Sequence, residues 1–191
     1  DRHSVNVMVG HEYYKTTTKF LGAIAQGGFS PSIPEIDAFA KISDASSYKS
    51  GYNVEGYFGS AQYNYDQRYF ASASFRRDAS SYFAKENRWG NFWSVGGAWL
   101  ISKENFMQSS ASWLNMLKLK FSVGQQGNDN IGAYAYTDLY DLVPTGSTSM
   151  GATFKRMGNP DITWETTTNY NLGVEFSLWE GRLSGNVDYY V

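Results

Sequence analysis

The chain has 191 residues, of which 42% are hydrophobic, 17% aromatic and 18% charged, with a net charge of -2 and no cysteine. The lack of cysteine excludes a disulfide framework and thiolate metal sites, and the near-zero charge argues against a nucleic-acid partner. No apolar run approaches the roughly 18 residues that a membrane-spanning helix needs. Many aromatics combined with a mean hydropathy of -0.45 favour strands that alternate polar and apolar side chains.

Period-two alternation predicts the first strands along the chain. A short apolar face occupies residues 5–9, and a longer alternating segment covers residues 57–66. The pattern resumes over residues 69–76 after only two residues, so we expect a short turn to join these segments as a hairpin.

Four further strands are predicted over residues 93–101, 117–124, 166–178 and 183–189. The segment 166–178 is the clearest, because no helix face fits its alternation over that length. A tight connection joins it to the last segment as a second hairpin. The sequence therefore predicts about seven antiparallel strands.

The connections between the predicted strands differ in length. They are long over residues 13–51 and 126–164 and short at residues 67–68 and 180–181. Short turns at one end and long loops at the other are typical of outer-membrane barrels, whose loops face outside. A loop of about forty residues counts against a compact soluble domain. We therefore expect 13–51 and 126–164 to be long extracellular loops.

Alternation alone does not say whether the apolar face points inward to a protein core or outward to lipid. Charged and amide residues within the strands, and aromatic residues near both strand ends, favour a wet lumen and a lipid-facing surface. An odd number of strands that is still in pattern at Val191 cannot close a barrel by itself. The predicted fold class is all-β, an antiparallel transmembrane β-barrel segment. The lumen-facing candidates are Arg76, Lys118, Lys120, Asn169, Asn171 and Glu175.

Candidate sites for chemistry are scarce. The pair His11-Glu12 begins an H-E-x-x-H pattern, but Lys15 stands at the second histidine position. The chain has two histidines and no G-x-S-x-G motif. We expect no enzyme activity, metal or cofactor. Aromatic residues in or near the long loops either stack on a substrate or pack the loops together, and the candidates are Tyr82, Phe83, Tyr134 and Tyr136.

Several spaced motifs occur from about Gly56 onward. They include Tyr57-Phe58-Gly59, Tyr63-Asn64-Tyr65-Asp66, Phe75-Arg76-Arg77-Asp78, Asn87-Arg88-Trp89-Gly90, Trp99-Leu100-Ile101-Ser102-Lys103-Glu104, Gly158-Asn159-Pro160-Asp161 with Trp164-Glu165, and Arg182-Leu183-Ser184-Gly185. Together these motifs resemble the SusC/RagA family of TonB-dependent outer-membrane transporters over roughly the last two thirds of the chain.

The resemblance implies a parent protein with an N-terminal plug, a barrel of about 22 strands, energisation through TonB, and a SusD-like surface lipoprotein as a lid. It places residues 1–191 within the barrel domain, outside the plug and the TonB-contacting segment. The implied function is import of glycans or peptides across the outer membrane. The alternative is a soluble all-β carbohydrate-binding module with its apolar face turned inward.

Two groups of charged residues have alternative interpretations in that setting. Lys118 and Lys120 are expected to neighbour Glu175 across adjacent strands, as a charge pair or as a seat for the plug. The second group is Arg76, Arg77 and Asp78, which lie where a strand enters an external loop and either fix the loop geometry or contact substrate. Structural pairing and loop geometry are the favoured interpretations.

Overall fold

The computed structural model describes residues 2–191, which contain nine β-strands. The strands are β1 (His3–Gly28), β2 (Phe39–Tyr65), β3 (Tyr69–Ser80), β4 (Trp89–Leu100), β5 (Leu114–Asn128), β6 (Leu139–Pro144), β7 (Met150–Arg156), β8 (Glu165–Leu178) and β9 (Leu183–Tyr190). Seven of them form one antiparallel sheet in the order β1-β2-β3-β4-β5-β8-β9, and β6 pairs with β7 in a separate hairpin. Short 3-10 helices cover Ile36–Ala38, Lys85–Asn87, Ile101–Lys103 and Asn105–Ser110. Within residues 2–191, none of the helices has the length and apolar character needed to cross a bilayer.

The chain divides into two compact units, and the smaller one covers Tyr14–Asn53. This unit is a two-stranded ribbon in which the Phe20 ring stacks on Tyr48 with centroids 5.2 Å apart. Residues 13–51, expected as a loop, are therefore mostly strand, because β1 continues to Gly28 and β2 begins at Phe39. Threonine and aromatic residues in this range favour extended backbone. The extracellular position of the ribbon stays a prediction.

The second expected loop, 126–164, also contains strand. It includes the end of β5 and the whole β6–β7 hairpin, in which Tyr140 and Phe154 pack edge to face with centroids 5.8 Å apart. The sequence prediction missed this hairpin.

All seven strands of the main sheet were predicted from the alternation, and their existence is confirmed. Most strands are longer than predicted, and at two ends the predicted bounds extend too far. Asp66 belongs to the turn, where it has a φ of 53° and Gln67 a φ of 54°. Ile101 begins a 3-10 helix rather than ending a strand. The second tight turn also uses left-handed backbone, and Gly181 adopts a φ of 85° there at no steric cost.

The pairing register sorts the side chains of the larger unit into two faces, because directly paired residues point to the same side of a sheet. The polar face includes Gln62, Asn64, Phe70, Ser72, Ser74, Arg76, Ser94, Lys118, Lys120, Ser122, Asn169, Asn171, Glu175, Asn186 and Asp188. The opposite face is mainly apolar and includes Tyr57, Ala61, Tyr63, Tyr65, Tyr69, Ala71, Ala73, Phe75, Trp93, Val95, Trp99, Leu117, Leu119, Phe121, Val123, Tyr170, Leu172, Val174, Phe176, Val187 and Tyr189, together with Glu55 and Arg77 near the longer connections. It is called the apolar face below.

Within residues 2–191, no protein layer packs against the apolar face. Phe121, Leu172 and Val187 are each more than half exposed. A soluble sheet would bury such a face against a second layer. The exposure therefore contradicts the alternative with an inward-facing apolar core and fits a surface in contact with lipid.

Buried residues gather at the end of β3 and β4 that leads into the longer connections. Phe83 is fully buried, and its ring packs against Trp164 with centroids 5.4 Å apart. Trp164 also packs edge to face on Phe92, with centroids 5.1 Å apart, and its Nε1 donates a 2.9 Å hydrogen bond to the Arg88 carbonyl. Two spaced sequence motifs, 87–90 and 158–165, thus meet in one cluster. The cluster ties the connection after β3 to the segment before β8.

The opposite end of these strands carries a network centred on Glu104. Its Oε1 accepts hydrogen bonds from the Tyr69 hydroxyl (2.6 Å) and from Trp99 Nε1 (3.0 Å). Its Oε2 lies 3.3 Å from Arg68 Nη1, and Arg68 also pairs with Asp66. The Tyr69 hydroxyl, the Trp99 indole and the Arg68 charge hold the pKa of Glu104 below its ordinary value. The network links the short turn after β2 to the connection after β4.

We predict that Trp164→Ala loosens the long connections without unfolding the sheet. Removing a large, partly buried aromatic side chain costs about 2–3 kcal/mol of local stability. Limited proteolysis of the full-length protein should then cleave residues 129–164 at least about tenfold faster. Trp113→Ala, at an exposed tryptophan on the other end, is the matched control and should leave the cleavage rate unchanged. Equal rates for wild type and Trp164→Ala would contradict the role given to the cluster.

We also predict a pH-dependent contribution from Glu104. Since its folded pKa lies below the ordinary 4.5, the network stabilises the fold above that pH and loses its effect as the pH falls through the lowered pKa. At pH 7 Glu104→Gln should therefore lower the unfolding temperature of the full-length protein by a few degrees, and the difference should shrink as the pH is lowered below 4.5. Glu180→Gln, at an exposed turn, is the control. A difference that stays the same however far the pH is lowered below 4.5 would sink this account.

Candidate functional site

The polar face lines a hollow of about 600 Å³. Its walls come from strands at both edges of the sheet, from Ser4 and Asn6 on β1 to Asp188 on β9. Between them, the lining includes the hydroxyl and amide side chains of Gln62, Asn64, Ser72, Ser122 and Asn171, together with two lysines and apolar residues such as Phe70 and Phe121. The hydroxyl and amide groups donate and accept hydrogen bonds without carrying charge. The hollow therefore offers a ligand both hydrogen bonds and apolar contacts.

Charged residues on the polar face pair with one another across three strands. Glu175 on β8 lies 2.9 Å from Lys120 Nζ and 3.3 Å from Lys118 Nζ, both on β5. Lys120 also lies 3.4 Å from Asp188 on β9. The expected cross-strand pairing of Lys118 and Lys120 with Glu175 is confirmed. Two cations and two carboxylates balance, so this part of the wall carries no net charge.

Gly173 makes the three-strand arrangement possible. It lies on β8 opposite both Lys120 and Asp188 in the pairing register. A Cβ atom at this position would lie 2.9 Å from Lys120 Cε and would also run into the Asp188 carboxylate. Glycine thus leaves the space through which the lysine on β5 reaches a carboxylate two strands away.

Arg76 belongs to a second polar cluster near the longer connections. Its Nε lies 2.7 Å from both carboxylate oxygens of Asp78, and its Nη2 lies 2.9 Å from Glu12 Oε2 on β1. The guanidinium also lies over the Phe58 ring, 5.4 Å from the centroid. Asp78 is buried. These contacts hold strands β1, β2 and β3 together, and the expected role of Arg76 in loop geometry stays a prediction.

The other lumen-facing candidates lie on the same face as the charged groups. Asn169 pairs with Gly124, and Asn171 pairs with Ser122, in the register of β5 and β8. Alternation along β8 had predicted this. The register brings all six candidates to one face, although their position in a barrel lumen stays a prediction.

The four aromatic candidates have different environments. Phe83 is fully buried against Trp164, so its ring is closed to ligands and the expectation of substrate contact is wrong for this residue. Tyr134 is about half exposed and has a φ of 61°. Tyr82 and Tyr136 are half-buried. Substrate contact by Tyr82, Tyr134 and Tyr136 stays a prediction.

The sequence interpretation overlooked several residues of the site. Ser4, Asn6, Gln62 and Asn64 line the hollow, and Trp164 organises the loop cluster. The alternation already placed Gln62 and Asn64 on the polar side, so that signal was present. Among residues 2–191, no group of three or more His, Asp or Glu side chains is arranged to hold a metal ion.

The family model described as "TonB dependent receptor-like, beta-barrel" matches residues 2–191. TonB-dependent receptor SusC of Bacteroides thetaiotaomicron is 35% identical over 79% of this chain, which corresponds to 16% of that protein. A TonB-dependent receptor of Formosa agariphila is 31% identical over the whole chain and 20% of its own length.

Solved structures give the same result. The RagAB peptide transporter matches 100% of this chain and 21% of its own chain, with a TM-score of 0.91 and 31% identity. The RagAB peptide importer in its open-open state matches 98% of the chain with a TM-score of 0.87 and 30% identity. The chain thus spans about a fifth of the length of the proteins it matches.

The family match extends over every described residue, and the apolar face is exposed as a lipid-facing surface requires. Both observations rule against the soluble carbohydrate-binding module. The chain belongs to the TonB-dependent receptor β-barrel family and is a segment of a SusC/RagA-type barrel of the outer membrane.

Proposed function

We propose that this chain forms part of the wall of a nutrient importer in the outer membrane. In this proposal the polar face lines the passage, and the apolar face contacts lipid. The observation that carries the proposal is the hollow along the polar face, bounded by side chains of β1 to β5, β8 and β9. The membership of the TonB-dependent receptor family supports it.

The chemistry of the hollow favours a hydrogen-bonding cargo that is neutral or has balanced charges. Lys118, Lys120, Glu175 and Asp188 already satisfy one another. Hydroxyl and amide groups remain to exchange hydrogen bonds with sugar hydroxyls or peptide groups. We therefore propose glycans or peptides as the cargo. The description of RagAB as a peptide transporter supports the peptide half of this proposal.

We further propose the partners that family membership suggests. TonB would supply the energy through a plug segment elsewhere in the parent protein, and a SusD-like surface lipoprotein would cover the side of the longer connections. Exposed aromatic rings there, including Tyr134 and Tyr140, are available to stack on cargo. We propose that the chain takes no part in covalent chemistry.

A pair of adjacent substitutions on β8 tests which face lines the passage. Asn171 borders the hollow, whereas Leu172 lies on the opposite face and is about half exposed. In the full-length transporter, Asn171→Trp should slow uptake of labelled oligosaccharides or peptides at least about fivefold, which corresponds to about 1 kcal/mol of added barrier. Leu172→Trp should leave uptake unchanged, because lipid accommodates the indole.

Uptake is measured in cells that carry the full-length gene, with heat-shifted migration on gels as the check that each variant forms a folded barrel. An effect of Leu172→Trp equal to that of Asn171→Trp would overturn the assignment of the two faces. Uptake that is unaffected by loss of TonB would overturn the proposed energy source.

A further inference from the structure

One cationic side chain, that of Arg77, lies on the apolar face. Among the paired residues of β2 to β5, β8 and β9, the register places two charged side chains on this side, Glu55 opposite Ala79 and Arg77 opposite Tyr57. Every other Lys and Arg of the paired segments between β2 and β9 lies on the polar face. A guanidinium on a lipid-facing surface requires a physical explanation, because charge is disfavoured there.

Arg77 has no ionic partner within the described part of the chain. Its guanidinium lies over the Trp89 ring, 5.1 Å from the centroid, where the indole face attracts a cation. Glu55, the nearest acidic residue in the register, is engaged elsewhere. It accepts a 2.8 Å hydrogen bond from the Tyr57 hydroxyl and lies 3.3 Å from His11 Nε2. The stack on Trp89 orients the guanidinium and leaves its N–H donors free.

The position of Arg77 along β3 corresponds to a membrane boundary. It lies eight residues from Tyr69, the first residue of β3 after the short turn. At ~3.4 Å per residue that is about 27 Å along the strand. With the ~40° tilt of such strands, the depth is about 21 Å, close to the ~25 Å height of the apolar band. Aromatic residues surround this level, namely Tyr57, Phe75, Trp89 and Trp93.

We propose that Arg77, held on Trp89, binds the phosphate group of an anionic lipid at the membrane boundary nearest the longer connections. The guanidinium supplies charge and paired N–H donors that match a phosphate. The Asn91 amide, opposite Arg77 on β4, offers a further donor. The lipid would supply the counter-charge that the protein does not. The proposal requires only that this face contacts lipid, and its readout is independent of cargo uptake.

Lipid retention by the purified full-length transporter tests the proposal. The protein is incorporated into nanodiscs that contain phosphatidylcholine and a small fraction of lipid A, and the lipids that remain bound are counted by native mass spectrometry. Wild type should retain lipid A at least about fivefold better than a phosphate-free form of the same glycolipid. Arg77→Gln should lower retention of lipid A about fivefold, and Arg77→Lys should lower it less because the charge remains.

Two controls separate this site from general charge effects. Arg182→Gln removes a cation in the turn between β8 and β9 and should leave retention unchanged. Glu55→Gln removes a nearby negative charge and should leave retention equal or greater. Undiminished retention in Arg77→Gln, equal retention of the phosphate-free lipid, or binding of inorganic phosphate without lipid A would each overturn the proposal.

Discussion

The continuous backbone pairing from β2 to β9 is the constraint on which the rest of the structure depends. Pairing runs from Tyr65 opposite Tyr69 to Leu178 opposite Leu183, with an irregularity between Leu114 and Met116 on β5. A shift of one residue in any strand would turn its polar residues toward lipid and its apolar residues toward the hollow. Backbone groups at membrane depth have no water to bond, so this ladder also satisfies them. One set of hydrogen bonds therefore determines both faces.

Different interactions stabilise the two ends of the strands. At the short-turn end, the Glu104 carboxylate accepts hydrogen bonds from a hydroxyl and an indole and forms an ion pair with a guanidinium. At the other end, Trp164 joins distant segments by burying aromatic rings and closing one hydrogen bond. The first arrangement depends on pH because it contains a charge, whereas the second does not. Changes of conformation in the longer connections would have to release the aromatic contacts.

The main sheet could be predicted from the sequence because its signal is local. Alternation along β8 is visible over a dozen residues. Together with the alternation along β5, it predicts that Lys118 and Glu175 share a face. The β6–β7 hairpin was missed because each strand has only six or seven residues, one of them ending in Pro144. Burial of Phe83 depends on Trp164, which follows 81 residues later in the chain, and no local pattern contains that contact. The stacking of Arg77 on Trp89 likewise requires the register of β3 and β4.

The ion pairs around Gly173 affect how strongly the polar face would bind a charged group. An unpaired lysine or glutamate would bind an oppositely charged group by several times the thermal energy and would hold it in place. With those charges already paired, a moving polar molecule meets mainly neutral hydrogen bonds, each worth about 1 kcal/mol net. Such bonds can be exchanged one for the next at small cost. In the proposed importer, the paired charges would therefore not hold a polar cargo at one position on the wall.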